Sequence, residues 1–317
     1  MAGFLVRRLA FGLIALFLGL SGSFLFFTSK YQPSTPILHA YSVWLRGLPN
    51  GRSIPESLFL YVGAAFGRTL LLLALTLVIV LLVAIPLACL AAANRGSIID
   101  FFLRCISYGA WAVPGFLLAT VLQEALGRVP GGWGVGWFPY IGWAGECPNG
   151  KGIDQHNFQC PAGGTGLSHV GLVIDHLALP AIALALGFIG LHARYLRNSL
   201  LNVLDDPHIT VARAKGLSER ALLLRHAMRN ALVAFVPALV SDFGLIFGGA
   251  LAVDYIFQLG GMGTYFISAL ALNVDAFVSV DTYALQLTVL LGGALVLTAS
   301  VLGEMALWLL DPRARPD

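Results

Sequence analysis

Six long apolar runs constrain what this chain can fold into more than any other feature. They lie at roughly residues 9–28, 69–93, 101–126, 174–193, 231–252 and 283–310. About 20 apolar residues are enough for an α-helix to cross a bilayer, and strands exposed to lipid would leave backbone groups unpaired. Only 11% of the 317 residues are charged, against about 25% in an average soluble domain. We therefore predict an all-α membrane protein with six transmembrane helices in a single domain, residues 1–317.

Local signals refine these spans. The first run is longer than the roughly 7–15 residues of a signal-peptide core, so we expect a retained helix. Pro86, Pro114 and Pro180 fall within or at the start of later runs, where we expect bends. A short additional helix is predicted near residues 39–48, between the first two spans.

Basic residues predict the orientation in the membrane. The segments on one side of the six spans hold 13 of the 19 Lys and Arg residues, and cytoplasmic segments carry such an excess. We therefore expect both termini in the cytoplasm, extracytoplasmic loops at 30–66 and 127–173, and a cytoplasmic loop at 194–230. The sequence contains no basic stretch interleaved with aromatic residues, so we do not expect nucleic-acid binding. The 13 residues are Arg7, Arg8, Arg95, Arg104, Arg194, Arg197, Arg213, Lys215, Arg220, Arg225, Arg229, Arg313 and Arg315.

Cys147 and Cys160 lie together in the second outer loop, in GECPNGKGIDQHNFQC. A disulfide is permitted on the extracytoplasmic side. The alternative is a metal site, because His156 lies between the two cysteines and His169 and His176 follow. Zinc sites usually pair cysteines roughly two to four residues apart, which these are not. We therefore favour a disulfide between Cys147 and Cys160 and expect no metal site.

Residues 205–230 predict two helices separated by a glycine turn. The DDP motif at 205–207 is typical of a helix start, Gly216 supplies the stop, and a second helix begins near Ser218 and continues into the fifth span. The first helix carries small residues surrounded by positive charge. A basic helix lying on the inner leaflet would need a bulky apolar stripe, which is weak here. We therefore favour a docking element for a soluble partner.

The stretch TVARAKGLSERALLLRHAMRNAL resembles the cytoplasmic coupling loop of the dipeptide/oligopeptide/nickel permeases of ABC importers. Similar patterns follow in order along most of the chain, in IPLACLAAANRGSIIDFFLR, HLALPAIALALGFIGLHARYLRNSLLNVL, GGALAVDYIFQLGGMGTYFISALALNVDAF and LLDPRARPD. The resemblance implies the type I ABC importer permease fold in the bilayer of the bacterial cytoplasmic (inner) membrane. It also implies as partners a second homologous permease, two ATPase subunits or domains and an extracytoplasmic substrate-binding protein.

By this resemblance, residues 194–230 form a coupling loop whose first short helix sits in the cleft of an ATPase subunit. The contacting residues would be Ala212, Arg213, Ala214, Lys215, Gly216 and Leu217. None of the three lysines, Lys30, Lys151 and Lys215, lies in a G-x-x-x-x-G-K-[ST] motif. We therefore expect no cofactor in this chain and ATP and Mg in the partner ATPase subunits. No set of residues predicts a catalytic site, so we expect a permease subunit that is not itself an enzyme.

The glycine-rich stretch QLGGMGTYF predicts a turn on the outer side. By resemblance it lies between the fifth and sixth spans, near the outer mouth of the pore, where a binding protein would dock. We include the following residues in this candidate outer gate and docking surface: Asp254, Gly260, Gly261, Gly263 and Asp275.

Asp242 lies midway along the fifth span, where a carboxylate costs about 2.5–3.5 kcal/mol on insertion scales unless it faces the bundle interior or water. One hypothesis is that Asp242 lines the translocation path and attracts the amino group of a passing peptide. The other is that it pairs with a hydroxyl or an arginine of a neighbouring helix. Glu304, nearer the cytoplasmic end of the sixth span, is predicted to pack against the basic inner segments.

These features predict the transmembrane subunit of an ATP-driven ABC importer that translocates peptides or related small solutes delivered by an extracytoplasmic binding protein. One alternative keeps the machine and changes the cargo to nickel or another metal complex. The other is an ion-coupled secondary carrier, in which Asp242 would be the proton or sodium site.

Overall fold

A computed structural model describes residues 2–31, 36–47, 56–127, 135–139, 141–143, 167–269 and 282–310. Within these ranges the regular structure is helical, apart from one isolated bridge between Gly127 and Phe138. The all-α prediction is therefore confirmed. In chain order the helices are α1 (Ala2–Tyr31), α2 (Ile37–Gly47), α3 (Glu56–Ala93), α4 (Ile98–Ala112), α5 (Gly115–Leu126), α6 (Leu167–Leu204), α7 (Pro207–Ala214), α8 (Glu219–Ala221), a π-helical turn (Leu222–Ala227), α9 (Met228–Phe257), α10 (Met262–Ala269) and α11 (Thr282–Leu310).

Five helical segments are long and apolar enough to cross a membrane: Val6–Phe26, Val62–Ala93, Val170–Leu204, Glu219–Phe257 and Leu285–Leu310. The third predicted span, residues 101–126, is not one helix. It consists of α4 and α5, which meet at 98°. Pro114 stands at the bend and disfavours helical geometry in the preceding residue, and Val113 is accordingly extended. The pair is a broken span or a re-entrant segment, and the predicted count of six holds when it counts as one span.

The other two prolines lie inside helices that continue past them. Pro86 lies within α3 and Pro180 within α6, where packed neighbours can compensate for a lost backbone bond. The last turns of α6 include residues 194–204, so the first part of the coupling loop is an extension of this helix. The short helix predicted near 39–48 is α2.

Helix α6 lies at the centre of the bundle and packs against α3, α4, α5 and α9. Its Leu179, Leu184 and Leu191 are buried in one apolar cluster with Leu72 of α3 and Ile246 of α9. An apolar side chain loses no free energy in lipid, so close packing rather than exclusion from water holds such helices together. Helix α6 thereby connects the centre of the bundle with the predicted coupling loop at 194–230.

Helices α1, α2 and α11 form a side layer. Phe24 of α1 stacks on Trp44 of α2, and Tyr41 stacks on Trp44 in turn. The indole nitrogen of Trp44 donates a hydrogen bond of 2.8 Å to the side-chain oxygen of Gln286 on α11. At the opposite end of the same layer, Arg8 pairs with Glu304. Glu304 thus packs against a basic residue, as predicted, although its partner lies in α1 rather than in a loop.

Two ion pairs tie the turn between α3 and α4 to the end of α6. Arg197 donates two hydrogen bonds of 2.7 Å to the Asp100 carboxylate, which also accepts the backbone N–H of Gly96. Asp100 is 1% exposed. Arg95 donates to both carboxylate oxygens of Asp205 at 3.0 Å, but this second pair is exposed to solvent. The two pairs hold the beginning of the coupling loop against the bundle.

These pairs give a matched test of the bundle. Asp100→Ala leaves the nearly buried Arg197 guanidinium without its partner, and breaking a buried pair in this way typically costs about 3–5 kcal/mol. Asp205→Ala breaks an exposed pair of the same residue types, worth about 0.2–1 kcal/mol. We expect a clear fall of the thermal midpoint in detergent for Asp100→Ala and little change for Asp205→Ala. Equal midpoints for the two variants would contradict the packing described here.

Candidate functional site

The coupling loop contains the helix, glycine turn and second helix that its sequence predicts. Pro207 opens α7 at the first helical position, where its missing N–H costs nothing. Helix α7 ends at Ala214, and Gly216 adopts a φ of 85°, a left-handed conformation that favours glycine. Ser218 then caps α8 by accepting a hydrogen bond from the backbone N–H of Ala221. The prediction of these two helices is confirmed.

Ile209 anchors α7 to the protein, and the other side of this helix is exposed. Ile209 is fully buried, whereas the side chains of Arg213, Ala214 and Lys215 are exposed. Leu217, just after the turn, is exposed as well. Small residues such as alanine let a second backbone approach closely. The structure therefore presents most of the predicted ATPase-contacting residues on an accessible surface; Gly216 is exposed and Ala212 is half-buried.

Arg213 is held by Glu219, a residue that sequence analysis did not select. The guanidinium donates two hydrogen bonds to the Glu219 carboxylate, of 2.6 Å and 3.2 Å. This bond, together with the charge of Glu219, raises the pKa of Arg213 above its ordinary value. The pair spans the Gly216 turn and joins α7 to α8. Its members stand six positions apart across a turn, so neither helical spacing nor a motif indicates the contact.

The coupling loop also lines a cavity of about 270 Å³ on the bundle side. Its walls mix charges of both signs with apolar side chains of α3 and α6; the polar lining residues are Arg95, Asp205, Arg213, Glu219 and Arg220. The π-helical turn at Leu222–Ala227 follows and leads into α9. Because π-turns interrupt the regular hydrogen-bond ladder, they frequently occur at functional sites. The loop is thus attached to the bundle on both sides.

Asp254 is buried and accepts hydrogen bonds from the backbone of the glycine-rich turn between α9 and α10. One carboxylate oxygen accepts the backbone N–H of Gly261 at 2.9 Å and the other accepts that of Thr264 at 2.7 Å. Asp254 is 1% exposed. Sequence analysis assigned this residue to a docking surface, but its carboxylate instead caps the start of α10. The buried N–H groups explain why an acidic residue is needed at this place.

The glycine-rich turn packs closely against its neighbours. Arg68 of α3 donates to the Leu259 carbonyl at 3.2 Å, and its guanidinium lies 5.1 Å from the ring centre of Trp143. A Cβ atom at Gly263 would lie 1.9 Å from the Leu251 carbonyl oxygen, so only glycine fits there. Among the members of the predicted set that the structure describes, Gly260 is partly exposed and the others are buried. The turn is thus a rigid connection between α9 and α10.

Asp242 lies in the interface between α9 and α6. Its Oδ2 atom is 3.7 Å from Nε2 of His192, which is neither the hydroxyl nor the arginine that the sequence led us to consider. The carboxylate is largely but not completely buried. No sequence pattern indicates this contact, because His192 lies on another span.

Several predicted residues fall outside the described ranges: Asp275, Cys147 and Cys160. The disulfide prediction is therefore not tested. Among the described residues Cys89 and Cys105 are free thiols, and no group of three or more His, Cys, Asp or Glu side chains is placed to hold a metal ion.

Comparison with known proteins shows a family match over most of the chain. The model of the family described as "Binding-protein-dependent transport system inner membrane component" matches residues 84–316. A putative peptide transport system permease protein of Brucella abortus (strain 2308) is 32% identical over 249 residues, 78% of this chain and 69% of the relative. The oligopeptide transport system permease protein AppB of Bacillus subtilis (strain 168) is 27% identical over 299 residues, 90% of this chain and 83% of the relative.

A solved structure has the same fold. It is described as "Inward facing conformations of the MetNI methionine ABC transporter: CY5 native crystal form". The match has a TM-score of 0.59 at 15% identity and covers 81% of this chain and 99% of the other. At this identity the likeness concerns the fold alone, and it confirms the predicted type I importer permease architecture.

The close approach at the outer turn gives a test with a matched control. Gly263→Ala would place its Cβ against the Leu251 carbonyl and force α10 away from α9. Gly248→Ala, in α9, meets no atom within 4 Å. We expect Gly263→Ala to lower the thermal midpoint clearly, since overpacking typically costs about 1–3 kcal/mol, while Gly248→Ala leaves it near the native value. A native-like Gly263→Ala protein would contradict the described packing.

Proposed function

Because the chain belongs to the family of binding-protein-dependent transport system inner membrane components, we propose that it is the transmembrane subunit of an ATP-driven importer of peptides or related small solutes. The chain is a multi-pass protein of the bacterial inner membrane. Relatives that match most of it are named as peptide or oligopeptide permeases. These names support peptide cargo over the nickel alternative. The family membership counts against a secondary carrier.

The accessible helix α7 is the observation that carries this proposal. Its outer side combines small residues with positive charge and is held in place by buried Ile209 and by the Arg213–Glu219 pair. A helix lying on the membrane surface would direct a stripe of bulky apolar residues outward into lipid, whereas in α7 Ile209 faces the protein and Val211 is the one bulky apolar side chain that is exposed. We therefore assign α7 and the Gly216 turn as the docking element for an ATPase subunit.

The remaining parts of the machine follow from this assignment. The importer complex contains ATPase and binding-protein partners, and we propose one second homologous permease and two ATPase subunits or domains as its stoichiometry. ATP and Mg would be bound by the ATPase subunits, with no catalytic residue and no cofactor in this chain. The coupling loop would face the cytoplasm together with both termini. The clustering of Arg95, Arg197 and Arg213 at one end of the bundle supports this orientation.

At the opposite end, the substrate-binding protein would dock near the turn between α9 and α10. Arg68, Trp143 and buried Asp254 hold this turn in place. Gly260 and Asp275 remain the candidates for direct contact. A Cys147–Cys160 disulfide in the preceding outer loop stays part of this proposal.

A charged substitution tests whether α7 docks on an ATPase subunit. Ala214→Arg puts a long charged side chain on the side of α7 that should enter the ATPase cleft. As a control, Asn202→Arg places the same charge on the exposed end of α6, outside α7. We expect co-purification of a Walker-motif ATPase with the native chain and with Asn202→Arg, and a loss of at least about tenfold with Ala214→Arg, equivalent to about 1.4 kcal/mol. Retention of the ATPase by Ala214→Arg would contradict the docking role.

We also propose that Asp242 lines the translocation path. Its Oδ2 atom faces His192, which leaves Oδ1 to attract the amino group of a passing peptide. Loss of one hydrogen bond to a charged group costs about 1.5–3 kcal/mol, so we expect Asp242→Asn to lower peptide uptake about tenfold or more in proteoliposomes. Full uptake by a normally assembled complex would contradict the path role and leave docking at α7 unaffected.

A further inference from the structure

His192 and Asp242 contact each other inside the bundle, where α6 packs against α9. Nε2 of His192 and Oδ2 of Asp242 are 3.7 Å apart. Both atoms are buried, and neither makes a hydrogen bond within the part of the chain that the structure describes. His192 is 0% exposed. A buried polar atom without a partner costs free energy, so two such atoms facing each other require an explanation.

The second ring nitrogen shows which atom of His192 carries a hydrogen. Nδ1 lies 2.8 Å from the carbonyl oxygen of Phe188. A carbonyl oxygen only accepts hydrogen bonds, so Nδ1 must be the donor. A neutral ring therefore presents a lone pair at Nε2, and an ionised carboxylate also presents only lone pairs. Without a further proton, two acceptors would face each other in a low-dielectric interior.

We propose that His192 and Asp242 form a binding site for one shared proton at the contact between α6 and α9. With the proton on Nε2 the pair is an imidazolium and a carboxylate. With the proton on Oδ2 it is a neutral imidazole accepting from a carboxylic acid. In either arrangement a donor faces an acceptor and the net charge is zero, which removes most of the cost of placing Asp242 within a transmembrane helix.

Aromatic rings surround His192, and Asp242 is the charged residue that it contacts among the described residues. The rings of Phe188, Tyr195 and Phe235 lie 5.9–6.2 Å from the His192 ring. Tyr195 is the titratable group among them, and Arg194 lies over the rings of Tyr195 and Tyr108. Within the described residues, the ion pairs of His192 and Asp242 join them only to each other.

This proton site lies between the two helices that the coupling loop connects. His192 stands shortly before residues 194–230 and Asp242 shortly after them, about 18 Å along α9 from the end of the loop at 1.5 Å per residue. Loss of the proton would set two lone pairs against each other and weaken the contact between α6 and α9. The protonation state of the pair therefore determines the strength of the contact between α6 and α9, the two helices that the docking element connects. The inference does not depend on the cargo.

The test uses the full chain purified in detergent with the subunits bound to it, with thermal midpoints measured from about pH 5 to about pH 8. Asp242→Asn keeps the shape of the side chain and offers an amide N–H to Nε2 without a titratable proton. We expect the midpoint of the native chain, relative to Asp242→Asn, to fall by about 2–4 °C as the pH rises and the shared proton is lost. Parallel profiles for the two proteins would overturn the proposal.

His176 provides a matched control on the same helix. It is also buried, and its Nδ1 makes the same bond to the carbonyl four residues earlier, Leu172, at 2.9 Å. The ion pairs found among the described residues give His176 no carboxylate. The thermal midpoint of His192→Gln should depend on pH in the same way as that of Asp242→Asn. The midpoint of His176→Gln should behave like that of the native chain and keep its pH-dependent difference from Asp242→Asn. Persistence of the difference in His192→Gln, or its loss in His176→Gln, would contradict the shared proton.

Discussion

A charge inside an apolar bundle must have a partner, and this constraint determines how the helices of this protein are joined. Asp100 at the start of α4 is held by Arg197 of α6. Glu304 of α11 is paired with Arg8 of α1. Each contact joins two helices by a specific polar interaction, in addition to the close packing that holds them together. The polar contacts therefore contribute to the register of the bundle.

The coupling loop depends on the same constraint. Arg95 and Arg197 hold the end of α6, and Arg213 is held by Glu219 across the glycine turn. An ATPase that moves α7 would therefore pull on α6 and on the π-helical turn before α9 together. Membership of the importer family is consistent with such transmission. The loop is attached to the bundle through Arg197 and Asp205, and its two helices are joined by the Arg213–Glu219 pair.

Much of this arrangement could be predicted from the sequence, because the signals are local. Apolar length gives the spans, Pro207 and Gly216 give the ends of α7, and Pro114 gives a bend. The angle at Pro114 could not be predicted, since tertiary packing sets it. Nor could the contacts of Asp100, whose partner is 97 positions away. Asp254 was assigned to the outer gate and docking surface by resemblance alone, and its burial could not be predicted, because it depends on backbone N–H groups that only the folded turn brings together.

The central claim is that α7 enters an ATPase subunit on the cytoplasmic side. Photo-crosslinking in intact native membranes tests it most directly, with the reactive side chain placed at Ala214 and, as a control, at exposed Trp137 in the outer loop. The account predicts a crosslink from position 214 to a subunit carrying a Walker motif and none to that subunit from position 137. Crosslinks from position 214 to lipid alone, or from position 137 to the ATPase, would contradict it.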